Sequence, residues 1–330
     1  MKLLSSLPVS GLRVFLRADL DVSFAEAPNS IRLKALKPTV DFLLSHGAAK
    51  VIIAGHLGRP TGPNPALSLR NIAPFIETML QRSVIFSDVL EIKSLESLFL
   101  LENLRFWPGE EACDVEFSTK LASLADCYVN DAFGVVHRAH ASVVGVPRLL
   151  PHAAGLHLQE EVSQLTKLIE SPKRPFVAII GGAKLETKLP VIENLAKIAD
   201  YVLVGGLIAK EYTQVATSHE SNVMTATSNP DGLDIDEKSA QKFAQIIKSA
   251  KTVVWNGPVG KFEDGHDFGS KAIAAALVES SAYCVVGGGE TVDFLGKSGF
   301  LSKVSFASCG GGAMLEFLAG KELPGIAALV

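Results

Sequence analysis

Short apolar runs rich in β-branched residues recur along the chain, and longer amphipathic stretches separate them. In the second half, five such runs end in glycines: Val177-Ala-Ile-Ile-Gly-Gly-Ala-Lys184, Tyr201-Val-Leu-Val-Gly-Gly206, Val253-Val-Trp-Asn-Gly-Pro-Val-Gly260, Val285-Val-Gly-Gly-Gly289 and Ser305-Phe-Ala-Ser-Cys-Gly-Gly-Gly312. Continuous apolar runs of this length predict parallel strands buried on both faces. In the first half, strands are predicted at Arg13–Arg17, Lys50–Ala54, 84–86, Leu98–Leu101 and Cys127–Asn130. Helices are predicted around 38–45, 69–81 and 117–124, with a short one further on. Strand and helix alternating in this way predict an α/β fold with doubly wound parallel sheets. A long amphipathic helix over 158–170 leads to a polar break, Ser171-Pro-Lys-Arg-Pro175, after which a second α/β set begins. The domain junction is therefore expected near 150–158, with that helix as connector. The stretch 213–231 lacks periodicity and reads as an irregular excursion with one short strand at 223–226.

A chain of 330 residues is longer than one core usually serves, which also favours two domains. With 48% hydrophobic and 20% charged residues the composition is ordinary for a globular protein, and a net charge of −4 gives no reason to expect nucleic acid or a membrane surface. The opening Met1-Lys-Leu-Leu-Ser-Ser-Leu-Pro8 has too short an apolar run for a secretory signal, and no stretch reaches ~18 uninterrupted apolar residues. Cys113, Cys127, Cys284 and Cys309 lie far apart without metal or redox spacing, so they read as free thiols of a cytoplasmic protein.

The two halves carry different chemistry. In the first, cations cluster where strands end: Arg17 with Asp19, His56-Leu-Gly-Arg-Pro60, Arg105, and His137-Arg-Ala-His140, with Arg32 close before a predicted helix. Strand ends on one edge of an open sheet converge, so these side chains can line one bowl. Arginine forks suit a small, multiply charged acid. Any one of them, Arg32 included, could instead be a surface ion pair. His137 and His140 lack a third partner for a metal.

In the second half, glycines at strand ends let a ligand approach backbone N–H groups, and five such turns on one sheet edge suggest a polyphosphate site. Lys184 and Lys188 sit one helical turn apart at a helix start, either facing an anion or simply solvated. Glu290 either holds Mg²⁺ against phosphate oxygens or caps its helix. Glu263 either accepts from ribose hydroxyls or is a surface carboxylate. No Gly-x-x-x-x-Gly-Lys-Ser/Thr motif occurs, and no Gly-x-Gly-x-x-Gly turn follows the first strand.

The chain resembles the phosphoglycerate kinase family over nearly its whole length. The resemblance is carried by Arg17-Ala-Asp-Leu-Asp-Val22, Gly55-His-Leu-Gly-Arg-Pro60, Leu101-Glu-Asn-Leu-Arg-Phe106, Val129-Asn-Asp-Ala-Phe-Gly134, His137-Arg-Ala-His140, Pro172-Lys-Arg-Pro-Phe176, Gly181-Gly-Ala-Lys184, Val254-Trp-Asn-Gly-Pro-Val-Gly260, Gly287-Gly-Gly-Glu-Thr291 and Gly310-Gly-Gly-Ala313. It implies two doubly wound parallel-sheet lobes joined by a helix, with the C-terminal segment returning to the first lobe. The first lobe would cover 1–156 with about 318–330 and hold 3-phosphoglycerate or 1,3-bisphosphoglycerate. The second would cover 157–317 and hold ATP or ADP with Mg²⁺.

Site residues follow from the same resemblance. Asp19, Asp21, Arg32, His56, Leu57, Gly58, Arg59, Arg105 and Arg138 would bind the acid. Lys184, Lys188, Glu263, Gly288, Gly289, Glu290 and Thr291 would bind nucleotide, with Gly311 and Gly312 adding backbone amides. Glu290 would ligate the metal, and Arg32, Lys184, Gly288 and Gly311 would act on the transferred group. A monomer is implied.

Several positions depart from the family pattern. Asp21 and Ser23 replace Asn and Pro, Glu290 replaces Asp, Cys309 replaces Thr, and Leu207 replaces the third glycine of its turn. Tens of residues the family places after that turn are absent before Val223. Asp21 adds a carboxylate beside an anionic substrate, which weakens binding unless a neighbour offsets it. The alternatives to a kinase are a shortened binding protein without turnover and a dehydrogenase on a doubly wound fold. The missing dinucleotide turn speaks against the latter.

Overall fold

The computed structural model describes residues 1–92, 94–215 and 220–330. The chain divides into two compact units: Met1–Glu161 with Glu322–Val330, and Val162–Lys321. In the first unit the strands are β1 (Arg13–Arg17), β2 (Lys50–Ala54), β3 (Ile85–Ser87), β4 (Leu98–Leu101), β5 (Cys127–Asn130) and β6 (His152–Ala154). The helices are α1 (Ile31–Ser45), α2 (Ala73–Leu80), α3 (Pro108–Glu111) and α4 (Val115–Ala122), and α5 (Leu156–Glu170) carries the chain across the division. The strands form one parallel sheet in the order β3-β4-β2-β1-β5-β6.

The second unit repeats the plan with β7 (Phe176–Ile180), β8 (Tyr201–Val204), β9 (Val223–Thr225), β10 (Thr252–Asn256), β11 (Tyr283–Gly287) and β12 (Phe306–Ser308). Between and after them lie α6 (Leu185–Ala196), α7 (Ile208–Val215), α8 (Glu237–Ser249), α9 (Phe268–Ser280), α10 (Gly289–Lys297) and α11 (Gly312–Leu318). Their parallel order is β12-β11-β10-β7-β8-β9. A last short helix, α12 (Pro324–Ala327), belongs to the first unit.

Each strand order reverses direction once, at β1/β5 and at β7/β10. Ligands of open α/β sheets bind at such a switch point, beyond the carboxyl ends of the strands. The register fixes which residues arrive there. Arg17 is level with Ala54 and Asn130, so the segments starting at Ala18, Gly55 and Asp131 leave the sheet together. Likewise Asn256 is level with Ile180 and Gly287, which brings Gly181, Gly257 and Gly288 to one edge.

Burial explains the strands. Every residue of β7 and β10 is buried, as helices cover both faces of the sheet. One side of the second sheet is packed by Val177, Ile179, Val253 and Trp255 against Phe243 and Ile247 of α8 and Ile273 of α9. The tail is fixed to the first unit by Gly325 N–H donating to the Val136 carbonyl (2.7 Å) and by Lys2 N–H donating to that of Leu329 (2.8 Å).

Local chemistry moves several predicted boundaries. Helix α1 starts at Ile31 rather than at Pro38, because the Ser30 hydroxyl accepts from Leu33 N–H and caps it, and Pro38 is carried inside. The predicted helix 69–81 is a single 3₁₀ turn, Leu69–Asn71, followed by α2, which ends at Gln81 in the left-handed region. Strand β6 escaped notice because His152-Ala-Ala has no branched residue. The stretch 213–231 is helical through Val215 and has its short strand at Val223–Thr225, while 216–219 lie outside the described residues.

Trp255 is fully buried and its indole N–H donates to the Gly257 carbonyl (2.8 Å). Trp255→Ala should lower unfolding stability by about 3–5 kcal/mol, measurable as a reduced urea midpoint. A midpoint equal to wild type would show that the core closes around the loss.

Candidate active site

At the switch point of the first sheet, Arg17 ends β1 with its guanidinium fully buried. A buried cation needs partners in every direction. Its Nε donates to Ser142 Oγ (2.9 Å), Nη1 to the Ala18 carbonyl, and Nη2 to His56 Nδ1 (3.2 Å). Ser142 belongs to the buried turn Ala141–Gly145, and its hydroxyl and amide both donate to the Glu110 carboxylate. Glu110 is itself fully buried in α3. Desolvation raises its pKa, with Arg17 and Ser142 opposing the rise. Tyr128 on β5 donates to the Ser142 carbonyl (2.7 Å).

Above this base lie the residues expected to meet the acid. Arg32, in the first turn of α1, donates to the Asp21 carbonyl, and its Nε is 3.6 Å from Asp19 Oδ2. Asp21 Oδ1 accepts from Gly58 N–H (2.8 Å), and its Oδ2 lies 3.8 Å from His56 Nε2 and 4.0 Å from Arg32 Nη1. The additional carboxylate at Asp21 thus has cationic and N–H neighbours of its own. Arg105 donates to the Gly58 carbonyl (2.6 Å) and pairs with Glu111 (3.0 Å). Gly58 takes φ +64°, and a Cβ there would meet the Leu67 side chain at 2.9 Å, so a side chain would strain the backbone and push Leu67 aside. Buried Asn103 holds that loop by donating to the carbonyls of Leu57 (2.7 Å) and Leu67 (2.9 Å). Arg59 and Arg138 are exposed. Their charges reach Arg105 and His140 respectively.

Burial, aided by this concentration of charge, keeps His56 and His140 neutral. Burial, then Arg17, Arg105, His140 and Arg32, pushes the His56 pKa well down. Burial followed by Arg105, Arg17 and Arg138 lowers His140 to about 4.

In the second unit the glycines fall into two groups. Gly181, Gly205 and Gly257 serve loop packing: an added Cβ would lie 2.3 Å from the Pro258 carbonyl oxygen, 2.6 Å from Val259 and 2.2 Å from the Gly181 carbonyl oxygen respectively. The loops after β7 and β10 are locked together by Gly181 N–H to the Asn256 carbonyl (2.9 Å) and Gly182 N–H to that of Pro258 (2.9 Å). Within the five turns, these three glycines are therefore taken up by packing between loops. Gly289 and Gly311 do have open space, with nothing within 4 Å of the point where a Cβ would stand, and Gly288 (φ +91°) caps α10.

The two lysines also differ. Lys184 is exposed just before α6. Lys188 is buried and donates to Asn256 Oδ1, and desolvation lowers its pKa to about 8 against the pull of Glu290. Glu290 is exposed in the first turn of α10. Thr291 is fully buried with its hydroxyl oxygen accepting from Gly257 N–H (2.7 Å), so it ties two loops together. Glu263 lies on the turn Phe262–Asp264, with Lys261 and Lys297 as charged neighbours. Leu207 is about half exposed at 46%.

A family model described as phosphoglycerate kinase matches residues 4–224 and 210–321. The chain belongs to the phosphoglycerate kinase family. It is 39% identical to the phosphoglycerate kinase of Desulforudis audaxviator, across 99% of this chain and 98% of the relative, and 38% identical to the cytosolic phosphoglycerate kinase of Triticum aestivum, across 97% and 96%. Among solved structures, phosphoglycerate kinase from Pyrococcus horikoshii matches with a TM-score of 0.87 at 30% identity, over 100% of this chain and 98% of that one. The enzyme from Coxiella burnetii matches with 0.85 at 30%, over 99% and 98%. The alignment with the Desulforudis relative spans 388 positions against a chain of 330 residues, so tens of its positions face gaps here. The family model's two matching pieces meet at 210–224, around the segment between α7 and β9.

Because His140 is neutral when folded, the unfolded chain takes up a proton near pH 6.5 that the folded chain accepts only near 4. Its contribution to stability is therefore complete above about pH 7 and is lost as pH falls from 6.5 towards 4. His140→Asn should flatten the fall in melting temperature between pH 7 and 4.5. An unchanged slope would mean that His140 is protonated in the folded protein.

Proposed function

We propose that this phosphoglycerate kinase family member catalyses reversible phosphoryl transfer between MgATP and the carboxylate of 3-phosphoglycerate, giving ADP and 1,3-bisphosphoglycerate, as a glycolytic enzyme. The observation that carries the reading is the full-length relation to phosphoglycerate kinases. The cluster of Arg32, His56, Arg59, Arg105 and Arg138 supports it as the acid-binding surface. A monomer in the cytoplasm is part of the same reading. The wheat relative is named cytosolic, and among the described residues no helix is long and apolar enough to cross a membrane.

The acceptor carboxylate is ionised at neutral pH and needs no general base. Catalysis then depends on alignment and on stabilising charge at the equatorial oxygens of the moving group. In this reading Asp19, Asp21 and the His56–Arg59 loop orient the acid, with Arg105 and Arg138 holding its phosphate. Lys184 and Lys188 meet the nucleotide phosphates, helped by amides at Gly288, Gly289 and Gly311. Glu263 takes the ribose. Arg32, Lys184 and the amides of Gly288 and Gly311 meet the group in flight. Exclusion of water during transfer protects the phosphoryl group from hydrolysis.

Mg²⁺ characteristically binds one or two carboxylates together with phosphate oxygens and water. An exposed Glu290 in the first turn of α10, beside open glycines, fits that donor set and would hold the ion. When bound, the ion neutralises phosphate charge.

ATP-dependent formation of the acyl phosphate, trapped with hydroxylamine, tests the activity; no hydroxamate from 3-phosphoglycerate would overturn it. Arg32→Ala should lower kcat by about 10²–10³-fold with little change in MgADP affinity by calorimetry. Equal losses in both would refute its role in the transfer. Near pH 8.5 an empty Lys188 is largely neutral, its pKa being about 8. Binding of MgADP should therefore take up a proton, seen as a dependence of the calorimetric heat on buffer ionisation enthalpy. That dependence should vanish in Lys188→Met; if it survives, another group is the acceptor.

A further inference from the structure

The hydrogen positions in the buried network under the basic cluster are determined by chemistry. A guanidinium only donates. With Arg17 Nη2 3.2 Å from His56 Nδ1, that nitrogen must present its lone pair. Neutral His56 then carries its proton on Nε2, the atom that faces Asp21 Oδ2 at 3.8 Å. Arg17 Nε donates to Ser142 Oγ, so the Ser142 hydroxyl proton is directed to Glu110. Arg17, Ser142 and Glu110 are all fully buried, so water does not compete for these bonds.

We propose that Arg17, held by Ser142 and Glu110, is a positioning residue that fixes His56 as a neutral Nε2–H donor towards the acid substrate. This rests on the acid-binding role proposed for His56. Charge at the cluster is thereby left to arginine, and recognition by His56 is a directed N–H rather than a titrating cation. The groups facing His56 are Arg17 from β1, Asp21 and Arg32 from the segment after β1 and from α1, and Arg105 and His140 from the loops after β4 and β5. The three arginines among them disfavour a second proton on the ring.

The test uses ¹⁵N-histidine NMR of the whole protein without substrate, with His56 assigned by its absence in His56→Gln. Wild type should show unprotonated Nδ1 and protonated Nε2, unchanged between pH 8 and 6. Arg17→Met risks unfolding because it strands buried Glu110, so the double variant Arg17→Met/Glu110→Gln is made beside it. In the double variant His56 should lose the tautomer preference, with the proton shared between Nδ1 and Nε2, while burial, Arg105 and Arg32 still keep the ring neutral. A ring protonated on Nδ1 in wild type, or an unaltered tautomer in a folded double variant, overturns the proposal. These spectra are independent of substrate and would stand even if the acid-binding reading failed. In turnover at pH 8 the double variant should have a KM for 3-phosphoglycerate about tenfold higher than wild type, with kcat at saturation far less affected. A rise in KM with the His56 tautomer unaltered would indicate only a structural loss and would count against the proposal.

Discussion

A full positive charge with no access to water sits at the end of the central strand β1. Arg17 is tolerable there only because a serine hydroxyl, a backbone carbonyl and a histidine nitrogen satisfy its donors, with Glu110 balancing its charge through Ser142. That requirement organises the first unit. It draws α3, the turn Ala141–Gly145 and the His56 loop onto a single point beyond the sheet edge. The exposed arginines are then mounted on loops already fixed from beneath. Asn103 plays the matching part for the Gly58 loop, and Arg105 clasps the same loop from outside.

The second unit uses backbone rather than cations, and its glycines divide the labour. Gly181, Gly205 and Gly257, after β7, β8 and β10, have no room for a side chain because neighbouring loops occupy the space. They let the strand ends approach within van der Waals contact. Gly289 and Gly311 lie open, at helix starts whose first N–H groups have no intrahelical acceptor. Lys188 and Thr291 belong to the rigid part: one reaches Asn256 at the end of β10, the other pins Gly257.

Most of the architecture was legible because strands buried on both faces leave continuous apolar runs, and the central β1, β2, β4 and β5 fall where those runs predicted them. Short edge strands were harder. His152-Ala-Ala has no pattern of its own and is a strand only because β5 is its neighbour. The start of α1 was hidden by Pro38, read as a boundary although Ser30 provides the cap. At the site, the strand-end positions Asp19, His56 and Arg105 come together with Arg32 at the start of α1 as the spacing suggested, and Asp21, named only through the family resemblance, joins them. Glu110 and Ser142 went unnoticed. Glu110-Glu111 after a proline and glycine looks like a solvated acidic pair, and burial of one member depends on contacts distant in sequence. The distinction between packing glycines and open ones was likewise invisible, since both occur in the same strand-end pattern.

The route of the tail bears on how the molecule is made. The first unit owns residues from both sides of the second, and Leu329 receives its bond from Lys2 only after the whole of Val162–Lys321 has been synthesised. On the ribosome, the second unit is therefore the one whose covalent chain is complete first. The earlier-made half must wait with the surface for α12 still uncovered, including the place on Val136 where Gly325 will dock. An inserted domain thus reverses the usual order in which a two-unit chain can finish folding.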